Sequence, residues 1–216
     1  MRRIRTLAKI TKTEREIKVT LGEEDIWDVF SSPSHEPPFI SSTNIKFTDG
    51  PPPGFEIKVA HKGEGRPGDP PEYRGKGVFE VFELNLGNIK FFELEKYKLL
   101  NFSLKVLNTN RPELPITLHL YIDVHRAIQS VTDRWPNFIS QRPKGYKDYV
   151  FTVGEDLQNI IIPLEEIIYP EHLEGLIRLG RELGKEVPLI ITMQEWVWSG
   201  EQTEFFVGNQ FYFVKP

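Results

Sequence analysis

The sequence predicts an all-β fold, an antiparallel β-sandwich with one short helix near 171–183, and three observations carry that expectation. Residues 116–125 alternate without a break, with Ile116, Leu118, Leu120, Ile122 and Val124 on one parity and Thr117, His119, Tyr121, Asp123 and His125 on the other. Successive side chains of a strand point to opposite faces, so this is the signature of a half-buried strand. Comparable segments recur at short intervals, separated by Gly- and Pro-rich turns, as in sandwiches and barrels. The aromatic content (15 Phe, 7 Tyr and 4 Trp) also favours strands over helices.

Taken in order, residues 17–21 and 44–48 are short strand candidates, and the acidic stretch around 27–30 reads as one helical turn. Residues 55–61 set Phe55, Ile57 and Val59 against Glu56, Lys58 and Ala60, a clear half-buried strand. Residues 77–85 alternate less cleanly, whereas Phe102, Leu104 and Val106 form a core face opposite Ser103 and Lys105. Strands at 149–153, 159–164, 187–198 and 205–214 complete the set. The helix is read from Pro170 followed by Leu173, Leu176, Ile177 and Leu183 at helical spacing, with Gly184 at its end. Segments 31–38, 51–54 and 63–77 are loops. No internal repeat or long linker divides the chain, so residues 20–216 read as a single domain preceded by a basic arm or edge strand, 1–19.

The arm stands out by charge. Residues 1–18 carry seven Lys or Arg against Glu14 and Glu16, whereas the whole chain has a formal net charge of −4. Such an arm can dock on an anionic partner or a protein subunit, or serve simply as a solvated first strand. The acidic balance elsewhere argues against nucleic-acid binding. No apolar run approaches the roughly 20 residues of a transmembrane helix, and the amino terminus lacks the apolar core of a secretory signal. A cytoplasmic location follows if Met1 is the native start, an extracytoplasmic one if the chain is excised from a longer precursor. The absence of cysteine excludes disulfides, thiolate metal sites and cysteine nucleophiles.

From Asn101 the chain reads NFSLKVLN, a Pro-containing turn, PITLHLYIDVH, TDRWPNF, a strand, DLQNIIIPLEEI, the helix, a strand, and FFVGNQFYFV. This order resembles the galactose-binding-like β-jelly-roll of carbohydrate-binding modules over residues 99–214. The resemblance implies a jelly-roll sandwich that binds a glycan or polysaccharide, with Asn209 in a structural role in its closing triplet. Asp133 and Arg134 read as fold-fixing, because an Asp at a turn start can bond backbone amides and an Arg can clamp a carboxylate, with direct ligand contact as the alternative. Two departures stand out: Gly208 occupies the place of the usual Asp in the closing triplet, and Pro136 is inserted into the Asp-Arg-aromatic-Asn turn.

Sugars are held by aromatic faces stacked on their C–H surfaces together with a few directed polar groups. The polar face of the 116–125 strand supplies His119, Tyr121, Asp123 and His125 as ligand candidates. Trp135, in a turn, is a candidate exposed aromatic. Trp196 and Trp198, two apart on one strand, form either a stacking platform or a layer of the core. A hydrogen-bonded polar face under a loop is the alternative for the 116–125 strand.

Catalytic signatures are absent. The segment Gly68…Gly75-Lys76-Gly77 has the wrong spacing for a phosphate loop and lacks its Ser or Thr, and no His-Glu-x-x-His, Gly-x-Ser-x-Gly or dinucleotide motif occurs. Glycoside cleavage would need two convergent acids, for which Asp123 with Glu195 or Glu204 are the candidates. The reading is therefore a non-catalytic module with no cofactor. A structural Ca²⁺, the alternative of a structural or protein-interaction domain and, behind it, a carbohydrate-active enzyme stay open.

Overall fold

The computed structural model describes residues 9–23, 41–61, 76–90, 96–139, 146–198 and 200–216. Eleven strands occur among them: β1 (Lys9–Lys12), β2 (Glu16–Thr20), β3 (Ser41–Thr48), β4 (Gly54–His61), β5 (Lys76–Lys90), β6 (Leu99–Thr109), β7 (Ile116–Ile122), β8 (Tyr149–Val153), β9 (Gln158–Pro163), β10 (Pro188–Trp198) and β11 (Gln202–Val214). All pairings are antiparallel. They form a four-stranded sheet, β5-β10-β7-β8, and a seven-stranded sheet organised around β11. Along one edge β11 pairs first with β4 and then with β2, and along the other it pairs with β6, which in turn holds β9.

The two sheets bury their apolar parities in one core, as the alternation predicts. Ile116, Leu118, Leu120 and Ile122 of β7 join Ile191 and Met193 of β10, with Phe55, Ile57, Phe102, Leu104, Phe205 and Val207 from the larger sheet. Phe102 and Phe211 stack with ring centroids 5.5 Å apart. The expected sandwich is thus the observed one. The basic arm enters the fold in its second half: β2 carries fully buried Ile17 and Val19, and β1 lies at the sheet edge with Lys9 and Lys12 exposed. Residues 1–8, and the helical turn expected at 27–30, lie outside the described residues.

Among the described residues two α-helices accompany the sheets, α1 (Val124–Gln129) and α2 (Pro170–Leu183), and the second is the one the sequence predicts. Pro170 occupies the first turn of α2, and Gly184 ends it at φ 58°, a conformation that suits glycine. Gly175 lets α2 approach Ile139, since a Cβ there would lie 2.7 Å from the Ile139 side chain. Helix α1 departs from the sequence expectation. The alternation at 116–125 is strand only as far as Ile122, and the chain then turns. Asp123 is the cause: its carboxylate accepts from the Arg126 amide at 2.9 Å and caps a helix whose Val124, Ala127 and Ile128 are buried at helical spacing.

Candidate functional site

The outer face of the four-stranded sheet is where β7, β8 and β10 turn their non-core parity. Register places His119 between Val150 and Gln194, and Thr117 opposite Thr152. Thr117, Val150 and Thr152 are exposed, so this part of the face is open to solvent.

The upper part of the face is covered. Tyr121 is only 4% exposed, because the Tyr146 ring stacks on it with centroids 4.2 Å apart and planes 20° from parallel. The Tyr121 hydroxyl accepts from Gln194 Nε2 at 2.7 Å, which fixes the ring in its plane. Tyr146 itself is 42% exposed. Tyr121 is therefore the buried partner of an aromatic pair, and Tyr146 is the member that solvent reaches. Beside the pair, His119 Nδ1 meets Asp148 Oδ2 at 2.5 Å, with the two side chains 24% and 39% exposed. Between these two residues, Lys147 turns to another element. Its ammonium donates to the Glu165 carbonyl, lies 4.0 Å from Glu166 Oε2, and sits 5.8 Å from the centre of the Tyr169 ring. Segment 146–148 is thus tied down at each consecutive residue.

The other sequence candidates separate. Asp123 is 3% exposed and engaged as the α1 cap, with Arg126 Nε 3.5 Å from its second oxygen, so it is no part of the sheet face. His125 lies exposed on α1, where it stacks on Trp135 at 5.7 Å. Trp135 is half-buried against the core, and its indole N–H donates to the Ile139 carbonyl at 2.6 Å. These two residues belong to the helical end of the molecule, because the strand expected to carry His125 has already ended. Trp196 and Trp198 stand in β10 opposite Val78 and Lys76, but their side chains lie outside the described residues.

Among the residues given structural roles, Asn209 is buried, and its amide joins distant segments. Nδ2 donates to the Leu21 carbonyl at 2.9 Å, and the backbone N–H donates to the Pro53 carbonyl. Asp133 and Arg134 are both exposed, and the Arg134 backbone amide donates to Thr132 Oγ1 at 3.3 Å. The turn takes its described side-chain tethers from Thr132 and Trp135 rather than from the Asp-Arg pair.

A polar cluster inside the sandwich goes beyond the sequence expectation. Glu195 has the core parity of β10 and is 0% exposed. One oxygen accepts from Arg111 Nη1 at 2.8 Å and from Thr203 Oγ1 at 3.0 Å, and Arg111 Nε lies 3.4 Å from Glu201. Burial raises the carboxyl to about pKa 7, against the opposing hydrogen bond from Thr203 and the charge of Arg111. Such a group could donate a proton, but it is sealed between the sheets. Glu204 has the opposite parity on β11 from buried Thr203, and Asp123 is a helix cap. The acids considered for glycoside cleavage do not converge. Among the described residues no group of three or more His, Asp or Glu is placed to hold a metal ion.

One signal in the sequence points to this arrangement: Asp123 followed by apolar residues at 124, 127 and 128 is a capped helix start.

No family model and no curated protein matches the chain. Among solved structures, a family 11 carbohydrate-binding module from Clostridium thermocellum in complex with a β-1,3-1,4-mixed-linked tetrasaccharide is 14% identical, with 94% of this chain and 98% of that chain covered and a TM-score of 0.46. The family 11 module of the cellulosomal cellulase Lic26A-Cel5E of the same organism is also 14% identical, covering 87% and 88%, again at 0.46. A family 30 carbohydrate-binding module is 11% identical over 81% and 84%, at 0.39. At these scores the likeness by itself assigns neither family nor ligand.

Proposed function

We propose that this domain binds a carbohydrate without cleaving it, on the outer face of the β5-β10-β7-β8 sheet, with Tyr146 as the stacking ring. The observation that carries this reading is the Tyr121–Tyr146 pair. One ring is buried and locked by Gln194, and it presents the second ring, parallel to it and 42% exposed, to solvent. A rigid aromatic face held ready in this way loses little conformational freedom when a sugar packs on it. The carboxylate of Asp148 and the imidazole of His119 stand beside it as directed polar groups.

The test is affinity gel electrophoresis against a panel of soluble polysaccharides: mixed-linkage β-glucan, xyloglucan and galactan. At least one should retard the protein and emerge unshortened. Tyr146→Ala should weaken that retardation by about tenfold or more, the loss expected when a stacking ring is removed. Trp135→Ala should leave retardation intact, since that indole is committed to Ile139 at the helical end. Because a neutral sugar brings no counterions, retardation should be insensitive to salt. A panel without a hit would refute the proposal and favour a protein-interaction domain. Shortening of the polysaccharide would refute the non-catalytic part.

A further inference from the structure

We infer that Asp148, held by His119, sets the ligand class of this face: it accepts a hydroxyl of an uncharged sugar seated on Tyr146 and turns acidic sugars away. The inference rests on the carbohydrate-binding reading above. Three features of segment 146–148 carry it. Tyr146 and Asp148, two residues apart, both engage β7, the first through Tyr121 and the second through His119. The hydroxyl acceptor and the stacking ring are thereby anchored on β7 two residues apart, on one face of the strand. The His119 nitrogen engages Oδ2, and the carboxylate is 39% exposed, so solvent and ligand can reach it. Lys147, the cation of the same segment, is directed to the Glu165 carbonyl and the Tyr169 ring instead.

The chemistry follows from this placement. A carboxylate only accepts hydrogen bonds, and sugar hydroxyls are donors, so a hydroxyl beside the stacked ring finds a charge-assisted partner. A uronate carboxylate brought to the same position meets a like charge at short range, which is repulsive. Among the described neighbours on the open face, Thr117, Val150 and Thr152 are uncharged, and His119 is an ionisable group in contact with Asp148. His119 is a positioning residue here. It ties Asp148 to β7, two residues from the Tyr121 that carries the Tyr146 ring.

The test compares neutral galactan, mixed-linkage β-glucan and xyloglucan with polygalacturonate, using affinity gels and calorimetry on the full chain. The parent protein should bind at least one neutral polymer and bind polygalacturonate at least about tenfold more weakly. Asp148→Ala should lose about tenfold or more on the neutral polymer, the loss of one charge-assisted hydrogen bond. Asp148→Asn keeps an acceptor oxygen and removes the charge. It should stay within about threefold of the parent on the neutral polymer, while the discrimination against polygalacturonate collapses. His119→Gln, which can still donate to Asp148, should retain binding that His119→Ala loses, and a purely structural role would not produce that rescue. Circular dichroism and melting curves check that each variant is folded. If Asp148→Ala binds like the parent while Tyr146→Ala does not, the assignment of Asp148 falls and the stacking site survives. If neither variant changes binding, or no neutral polymer is bound, both fall. Equal binding of polygalacturonate and the neutral polymer by the parent overturns the ligand class alone.

Discussion

Replacing Glu195 with Gln should reverse part of the pH dependence of stability. The side chain is completely buried, and its carboxyl is raised from 4.5 to about 7, with burial as the largest cause. A folded-state pKa above the unfolded one means that the native state prefers the protonated acid. That contribution to stability is fully present below about pH 4.5, is lost as pH rises towards 7, and changes little beyond. Each pH unit between the unfolded and folded pKa is worth about 1.4 kcal/mol, so the total loss is about 3 kcal/mol, of which about 2–3 falls between pH 5 and pH 8. Glu195→Gln keeps the shape and one acceptor oxygen for Arg111 and Thr203, but does not titrate. Its second atom becomes an amide with two N–H donors where the protonated parent carries one O–H and Glu195 Oε2 has no described partner, and the extra donor is a pH-independent cost of about 1–3 kcal/mol. The variant should therefore be less stable than the parent at pH 5 and should gain about 2–3 kcal/mol on it by pH 8. Urea denaturation at both pH values, followed by tryptophan fluorescence, measures the difference. A pH-independent gap would refute the reasoning. A gap that widens against the variant at pH 8 would mean that the Arg111 bond outweighs burial and Glu195 is ionised in the folded protein.

Two further substitutions separate structural from binding roles. Leu120→Ala removes a fully buried side chain from the inter-sheet core and should cost about 2–5 kcal/mol in denaturant melts; a loss below about 1 kcal/mol would contradict its place there. Asp123→Ala removes the α1 cap and should cost about 0.5–2 kcal/mol while leaving polysaccharide retardation unchanged. Lost retardation in a variant that melts like the parent would restore Asp123 to the binding face.

The sandwich is legible in the sequence because its strands obey a simple rule, with one parity apolar and the other polar. Residues 55–61 and 102–106 show it, and both contribute to the core as expected. The rule misleads at 123–125 because a strand running into a capped helix can preserve parity for a few more residues. Val124 is buried in both readings, by the strand rule and by the helix that Asp123 starts. Legibility of the site is poorer for a different reason. His119 and Tyr121 are found from their own strand, but their partners Asp148 and Tyr146 come from a returning segment, and local patterning says nothing about which distant segment folds back. Trp135 looks exposed because turns usually are, yet its ring packs against the core and its N–H is used by Ile139 four residues on. Glu195 is visible as an acid among apolar neighbours, but strand parity in a doubly apolar stretch cannot say whether such a residue points into the sandwich or out of it.

The placement of β11 bears on how this protein is made. Three earlier strands, β2, β4 and β6, each pair along one side with β11, the last of the described strands in sequence order. The clasp between Asn209 and the Leu21 carbonyl joins residues 188 positions apart. A ribosome releasing this chain therefore exports most of the larger sheet before the strand that organises it exists. Until β11 arrives, β2, β4 and β6 each leave that side unpaired, the kind of edge on which chains associate wrongly. Contacts this distant also close slowly, since the intervening chain must be ordered before they form. Until β11 has emerged, the larger sheet thus stays dependent on protection of its unpaired strands.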